Sequence, residues 1–312
     1  KQAFATVLGI VLMLFVAGMD YHIWQRLAVF GYLAAVALSV AVMLFGREIN
    51  GSKRWLALGP FSFQPSEFAK VALILFLADL VTKNVKTIGK MWTLCRIMFW
   101  ILPIVGLVGA SNLSTAIIIL GIGVILIFVA SPKYAQFALM GIAGACFMGI
   151  FLALESYRLE RLAIWRNPEK YEKGYQTLQG LYAIGSGGVF GVGIGNSVQK
   201  LGFVPEAQND MIFSIICEEL GLAGAGIIVF LFLLLIWRFF LIASGSRDLF
   251  GALIATGAMA HMMIQVILNI AVVTNTIPNT GITLPFISYG GTSVMFLLIE
   301  MGLVLSVSQV VD

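Results

Sequence analysis

The chain has 312 residues, 60% of them hydrophobic and 11% charged, with a formal net charge of +4 and a mean hydropathy of +0.99. A soluble domain carries about 25% charged residues, so a water-solvated globule is excluded and the bilayer is the solvent. Lys and Arg do not cluster on a soluble face, which excludes nucleic acid as a partner.

Nine apolar segments follow in order, at 3–19, 27–46, 67–83, 92–109, 112–130, 134–154, 210–240, 247–274 and 285–309. Most are long enough to cross a membrane as helices, and none alternates as barrel strands do. The fold class expected is an all-α polytopic membrane protein, one transmembrane domain over 1–312 with a large loop at 155–209. The chain opens on Lys1, not Met, which reads as a trimmed start; residues 3–19 lead into further spans rather than to a cleavage site, so no signal peptide is read there. Cys95, Cys146 and Cys217 are scattered through apolar runs and read as buried thiols. His22 and His261 are too far apart in sequence to suggest a metal site.

Short-loop cations set the orientation. Arg26, Lys83, Lys86, Lys90, Arg96, Lys133, Arg238 and Arg247 fall on one side, which is taken as cytoplasmic. Lys1, Arg47, Lys53, Arg54 and Lys70 fall on the other. The 46–67, 155–209 and 275–285 loops then face outward, two of them rich in cations against the usual bias.

Five polar constellations interrupt the apolar background. In 46–70, Asn50-Gly51 reads as a turn and Ser66 as a helix N-cap. Glu67 and Lys70 share a helical face, either as a surface ion pair or as an intramembrane site, since ionisable groups at that depth are costly. Residues 157–180 read as an amphipathic helix on the membrane face, broken at Asn167-Pro168, or as a solvated loop. Residues 183–200 are glycine-rich but carry no GK[ST] and follow no strand, so a nucleotide loop is rejected and a re-entrant or ligand-facing turn preferred. In VPEAQNDMIFSIICEE, residues 204–219, a helix dipole accounts for Asp210 and leaves Glu218 and Glu219 unexplained. Gln265 and Asn269 precede NTIPNTGITLPFISYGGTS, residues 275–293, whose prolines and glycines suggest broken helix lining a cavity. Acids, cations and amides on one side fit either an enzyme acting on an amphiphile or a transporter.

Five blocks carry a resemblance: GREINGSKRW (46–55), QPSEFAK (64–70), GYQ with AIGSGG (174–176, 183–188), PEAQND with EELG (205–210, 218–221) and TLPFISYGG (283–291). In this order they resemble the SEDS family, which includes the RodA and FtsW types. The resemblance implies ten spans, the first lying upstream of residue 1, and peptidoglycan glycosyltransferase activity at the outer face of the bacterial plasma membrane. The implied substrate is lipid II. The implied partners are a class B penicillin-binding protein and other divisome or elongasome membrane proteins. A lipid-linked precursor flippase is the alternative.

By resemblance, Asp210 takes the place of the family's essential aspartate and would be the general base. Lys70, with Arg47, Lys53 and Arg54, would hold pyrophosphate; Glu67 would position Lys70; Gln265 and Asn269 would line the substrate site. A divalent cation, Mg or Mn, could assist. The stretch ASNLSTA (110–116) departs from the family's QPDLGTA, so Asn112 stands where relatives have an acid. Thr283 leans toward the division and sporulation branch.

Overall fold

The computed structural model describes residues 2–49, 52–58, 61–138, 141–142 and 162–311, with only the backbone described at 47–49, 52–53, 57–58 and 61. Most of the apolar segment 134–154, Cys146 and residues 155–161 of the long loop lie outside these. The helices are α1 (Gln2–Ala17), α2 (His22–Phe45), α3 (Pro65–Asn84), α4 (Met91–Ser111), α5 (Leu113–Ala130), α6 (Tyr175–Gly187), α7 (Ile212–Gly245), α8 (Leu249–Val273) and α9 (Gly291–Ser308). Among the described residues six helices, α2, α4, α5, α7, α8 and α9, are long and apolar enough to cross a membrane.

The chain divides into two compact units. One comprises Lys1–Tyr134, Ile236–Ile264 and Gly290–Asp312; the other comprises Ala135–Leu235 and Gln265–Tyr289.

The first unit is organised around α3, which is buried along nearly its whole length. That explains why α3 tolerates charges that a lipid-facing helix would not. Each buried acid has a partner: Glu67 pairs with Lys70 at 3.0 Å, and Asp79 accepts from Lys83 at 2.6 Å and Gln25 at 3.0 Å. The helix starts differently from the expectation. Gln64, not Ser66, is the N-cap residue, it makes no side-chain cap bond, and Pro65 opens the first turn. Proline lacks an N–H that would be unpaired there anyway, and its φ suits the turn.

Small residues let helices approach in this unit. A Cβ on Gly9 would lie 2.7 Å from Leu298 Cδ1, and one on Gly302 would lie 2.6 Å from the carbonyl of Met13, so the backbones of α1 and α9 approach closely at both glycines. A Cβ on Gly123 of α5 would lie 2.6 Å from Ile101 of α4 and 3.4 Å from Leu77 of α3. Tyr32 of α2 donates to the carbonyl of Trp100 at 2.7 Å, just ahead of Pro103 in α4. Cys95 is exposed rather than buried, which corrects the expectation for that thiol; Cys217 is buried.

The 46–64 connection contains structure beyond a single turn. Strands β1 (Arg47–Ile49), β2 (Ser52–Leu58) and β3 (Phe61–Phe63) form an antiparallel sheet in that order. Ile49 pairs with Ser52 and Leu56 with Phe63. The Asn-Gly pair between β1 and β2 is a hairpin signal.

In the second unit, 162–166 is helical, the chain breaks at Asn167-Pro168, and two short 3-10 turns (Pro168–Lys170, Glu172–Gly174) lead into α6. α7 is broken at Gly221, with φ 68 and ψ −173. Only glycine adopts that backbone readily. The groups freed by the break pair with the glycine-rich loop: the N–H groups of Val192 and Gly193 bond the carbonyls of Glu218 and Glu219, and those of Leu222 and Ala223 bond the carbonyls of Gly188 and Val189, all at 3.0 Å. This completes the hydrogen bonding of irregular backbone inside an apolar span, as a membrane requires.

Candidate functional site

Asp210 sits in the turn ahead of α7 and is 9% exposed. Three segments of the second unit fix it. From α8, the Asn269 amide, fully buried, donates to the carbonyl of Asp210 at 2.8 Å and to that of Ile282 at 2.6 Å. One turn earlier on α8, Gln265 donates to the carbonyl of Thr283 at 3.0 Å. From the broken stretch after α8, Ser288 Oγ donates to the carbonyl of Asn209 at 2.6 Å, and the Tyr289 N–H donates to the carbonyl of Gln208 at 2.8 Å. From α6, Gln176 Nε2 donates to Asp210 Oδ1 at 3.4 Å and to the carbonyl of Pro205 at 3.4 Å.

The other carboxylate oxygen faces glycine. A Cβ on Gly281 would lie 3.7 Å from Asp210 Oδ2, and Gly281 has φ +66. Glycine there keeps that oxygen clear of a side chain. Phe286, in the same stretch, has φ 61, an outlier for a bulky residue. Such strain persists where the surroundings over-determine it, commonly at sites.

Burial pushes the Asp210 carboxyl up to about 6 from 3.8, and the nearby Glu206 charge raises it further, while Gln176 and the backbone N–H groups of Asp210 and Met211 work the other way. A carboxylate titrating near neutrality is suited to take a proton from a hydroxyl.

Glu218 and Glu219 gain a definite role. Glu218, 3% exposed, accepts from the Ser197 hydroxyl and from the Val198 N–H at 3.1 Å. Glu219 pairs with Lys200 at 2.6 Å and accepts from the Ser197 N–H at 3.4 Å. The two acids tie the loop after α6 to the upper part of α7.

The remaining predicted site residues lie in the first unit. Lys70 is 1% exposed and Glu67 6%, and Ser293 of α9 donates to Glu67 Oε2 at 3.0 Å. Nearby in the same unit, His261 of α8 and Glu300 of α9 form a second buried pair, Nδ1 to Oε2 at 2.7 Å. Arg54 is half-buried, donates to the carbonyl of Ser111 at 3.2 Å, and lines a small cleft of about 20 Å³ with Asn112, Ser66 and Leu107. Of Arg47 and Lys53 only the strand backbone is described. Asn112 has a local role: its Oδ1 accepts from the Thr115 N–H at 3.2 Å and caps α5. Among the described residues no three His, Cys, Asp or Glu side chains converge as metal ligands.

Gln176, and Asn279, whose amide donates to Gln176 Oε1 at 3.1 Å, were not singled out from the sequence. Both fall within stretches already notable in the sequence, GYQ and NTIPNTG. Pairing them needed the fold.

A family model described as "Cell cycle protein", covering FtsW, RodA and SpoVE, matches residues 1–312. The chain belongs to that family. Stage V sporulation protein E of Bacillus subtilis is 39% identical over 99% of this chain and 86% of its own length. A probable peptidoglycan glycosyltransferase FtsW of Thioalkalivibrio sulfidiphilus is 36% identical over 99% and 80%. Among solved structures, one titled "Structural coordination of polymerization and crosslinking by a peptidoglycan synthase complex" superposes with a TM-score of 0.85 at 29% identity, covering 99% of this chain and 88% of the other. Rod shape determining protein RodA of Thermus thermophilus superposes at 0.72 and 29% identity, over 99% and 86%. As an FtsW/RodA/SpoVE family member with at least six apolar spans, the chain is a multi-pass protein of the bacterial plasma membrane. The sporulation and division relatives agree with the lean carried by Thr283.

Proposed function

We propose that this protein is a peptidoglycan glycosyltransferase that polymerises lipid II at the outer membrane face, with Asp210 as the general base. The observation that carries the assignment is the Asp210 carboxyl itself. It is buried, fixed through its own backbone and one oxygen, raised to about 6, and seated where the chain enters a lipid-facing helix.

In the proposed step, Asp210 takes the proton of the acceptor sugar hydroxyl. The hydroxyl oxygen bonds to the donor anomeric carbon, and the bond from that carbon to the lipid pyrophosphate breaks. An α-linked donor thus gives a β-linked glycan in one inverting displacement that needs one base. Lys70 is assigned to the developing pyrophosphate charge, with Arg47, Lys53 and Arg54 as further cations. Because Lys70 is buried against Glu67, this assignment requires that pair to open. Mg or Mn, where it takes part, is assigned to the substrate's pyrophosphate. Asn269 supports the reaction by holding the Asp210 turn, and Gln265 by holding the broken stretch at Thr283, their amide N–H groups already engaged by backbone carbonyls.

The partner is a class B penicillin-binding protein, supported by the match to a peptidoglycan synthase complex. The test is polymerisation of labelled lipid II by the purified protein with such a partner. Wild type is expected to form polymer and Asp210→Asn almost none, with normal folding and partner binding. Polymerisation by Asp210→Asn at the wild-type rate would overturn the assignment. Failure of wild type to make polymer, with lipid II transferred between leaflets instead, would favour a flippase.

A further inference from the structure

Around Asp210 the direction of each hydrogen bond can be deduced rather than assumed. The chain starts at a group with only one possible role. The Gly281 backbone N–H can only donate, and it donates to Asn279 Oδ1 at 3.2 Å. That bond settles which end of the Asn279 amide is oxygen, so its Nδ2 points outward and donates to Gln176 Oε1 at 3.1 Å. That bond in turn settles Gln176, whose Nε2 is left to face Asp210 Oδ1 and the carbonyl of Pro205, both at 3.4 Å. Amide orientations are normally ambiguous; here a backbone donor at one end removes the ambiguity. Both amides are only half-buried, so neither is needed as core.

We propose that Gln176 is a positioning residue for the Asp210 base, held in its donating orientation by Asn279 and the Gly281 N–H. This rests on Asp210 being the base. The Gln176 N–H favours the charged carboxylate and holds Oδ1, while Oδ2 lies on the Gly281 side. Glu206 is the charged group that reaches Asp210 and acts in the opposite sense. The side chains that face Asp210 from α6 and α8, Gln176 and Asn269, are uncharged, as is Gly281 beyond α8.

The test is the pH dependence of lipid II polymerisation by the purified protein with its partner. Gln176→Met keeps length and removes the donor. Its acidic limb is expected to move to higher pH by about half a unit to one unit. The rate then falls several-fold at about pH 6 and returns toward wild type at about pH 8.5, with KM for lipid II unchanged. Asn279→Asp has nearly the same volume but accepts at both oxygens. Gln176 then loses the donor that orients it, and the added charge at residue 279 acts in the same sense, so the limb moves at least as far. Glu206→Gln is expected to move it the other way. A Gln176→Met profile unchanged in position, or lowered equally at every pH, would overturn the positioning role while an inactive Asp210→Asn keeps the base. An active Asp210→Asn would overturn both.

Discussion

The burial of Asp210 predicts a gain in stability when its charge is removed. Its pKa is about 6 in the folded protein against 3.8 for the unperturbed group. Between those values the folded state binds the extra proton, so stability falls as pH rises from about 4 to about 6 and stays lower above that. Roughly two units at 1.36 kcal/mol each set the cost of the charged form at about 2–3 kcal/mol at pH 7.5. Asp210→Asn removes that cost, and its carbonyl can still accept from Gln176. The variant is therefore expected to melt above wild type at pH 7.5, with the difference closing toward pH 4. The assay is a thermal unfolding series across pH in one detergent or nanodisc, with helicity as the signal. An Asp210→Asn protein that melts below wild type at pH 7.5, or a difference that does not vary with pH, would refute the reasoning. The gain coincides with the loss of polymerisation expected of the same variant, which is the trade-off between stability and activity at a site with a buried charge.

Three further outcomes are expected. Asn269→Leu removes both donors to the carbonyls of Asp210 and Ile282; at about 1–3 kcal/mol per orphaned buried group it should lower the melting temperature and polymerisation together, whereas Asn269 variants with wild-type behaviour would show that the turn is held elsewhere. Gly221→Ala places a Cβ 2.3 Å from the carbonyl of Val189 at a φ that alanine avoids and should cost more than about 2 kcal/mol, read as loss of folded protein on size exclusion. Lys70→Ala leaves Glu67 buried without its salt-bridge partner, at a cost of about 3–5 kcal/mol; the double variant Glu67→Gln, Lys70→Met should recover folding, and its polymerisation assay then decides whether the Lys70 charge serves the pyrophosphate.

Much of the fold was legible because the bilayer leaves few choices. Apolar stretches with no water to satisfy their backbone must be helical, so the segments at 67–83, 92–109 and 112–130 matched α3, α4 and α5 within a few residues. Glu67 and Lys70 were legible as a pair because helical spacing puts them on one face. The sheet at 47–63 was less legible, since its strands are short and lie in what reads as a loop.

The sequence by itself determined the solvent, the helical class and the family blocks. Tertiary structure alone decided what each polar side chain does. Glu218 and Glu219 looked like misplaced acids until the break at Gly221 brought Ser197, Val198 and Lys200 to them. Asn269 looked like a substrate ligand until its amide was found on two backbone carbonyls, and Gln176 stood 34 residues from Asp210 in sequence before the fold joined them. Hydrophobic periodicity is local and survives in a string of letters. Hydrogen-bond partners distant along the chain are chosen by packing, and only the folded chain contains them.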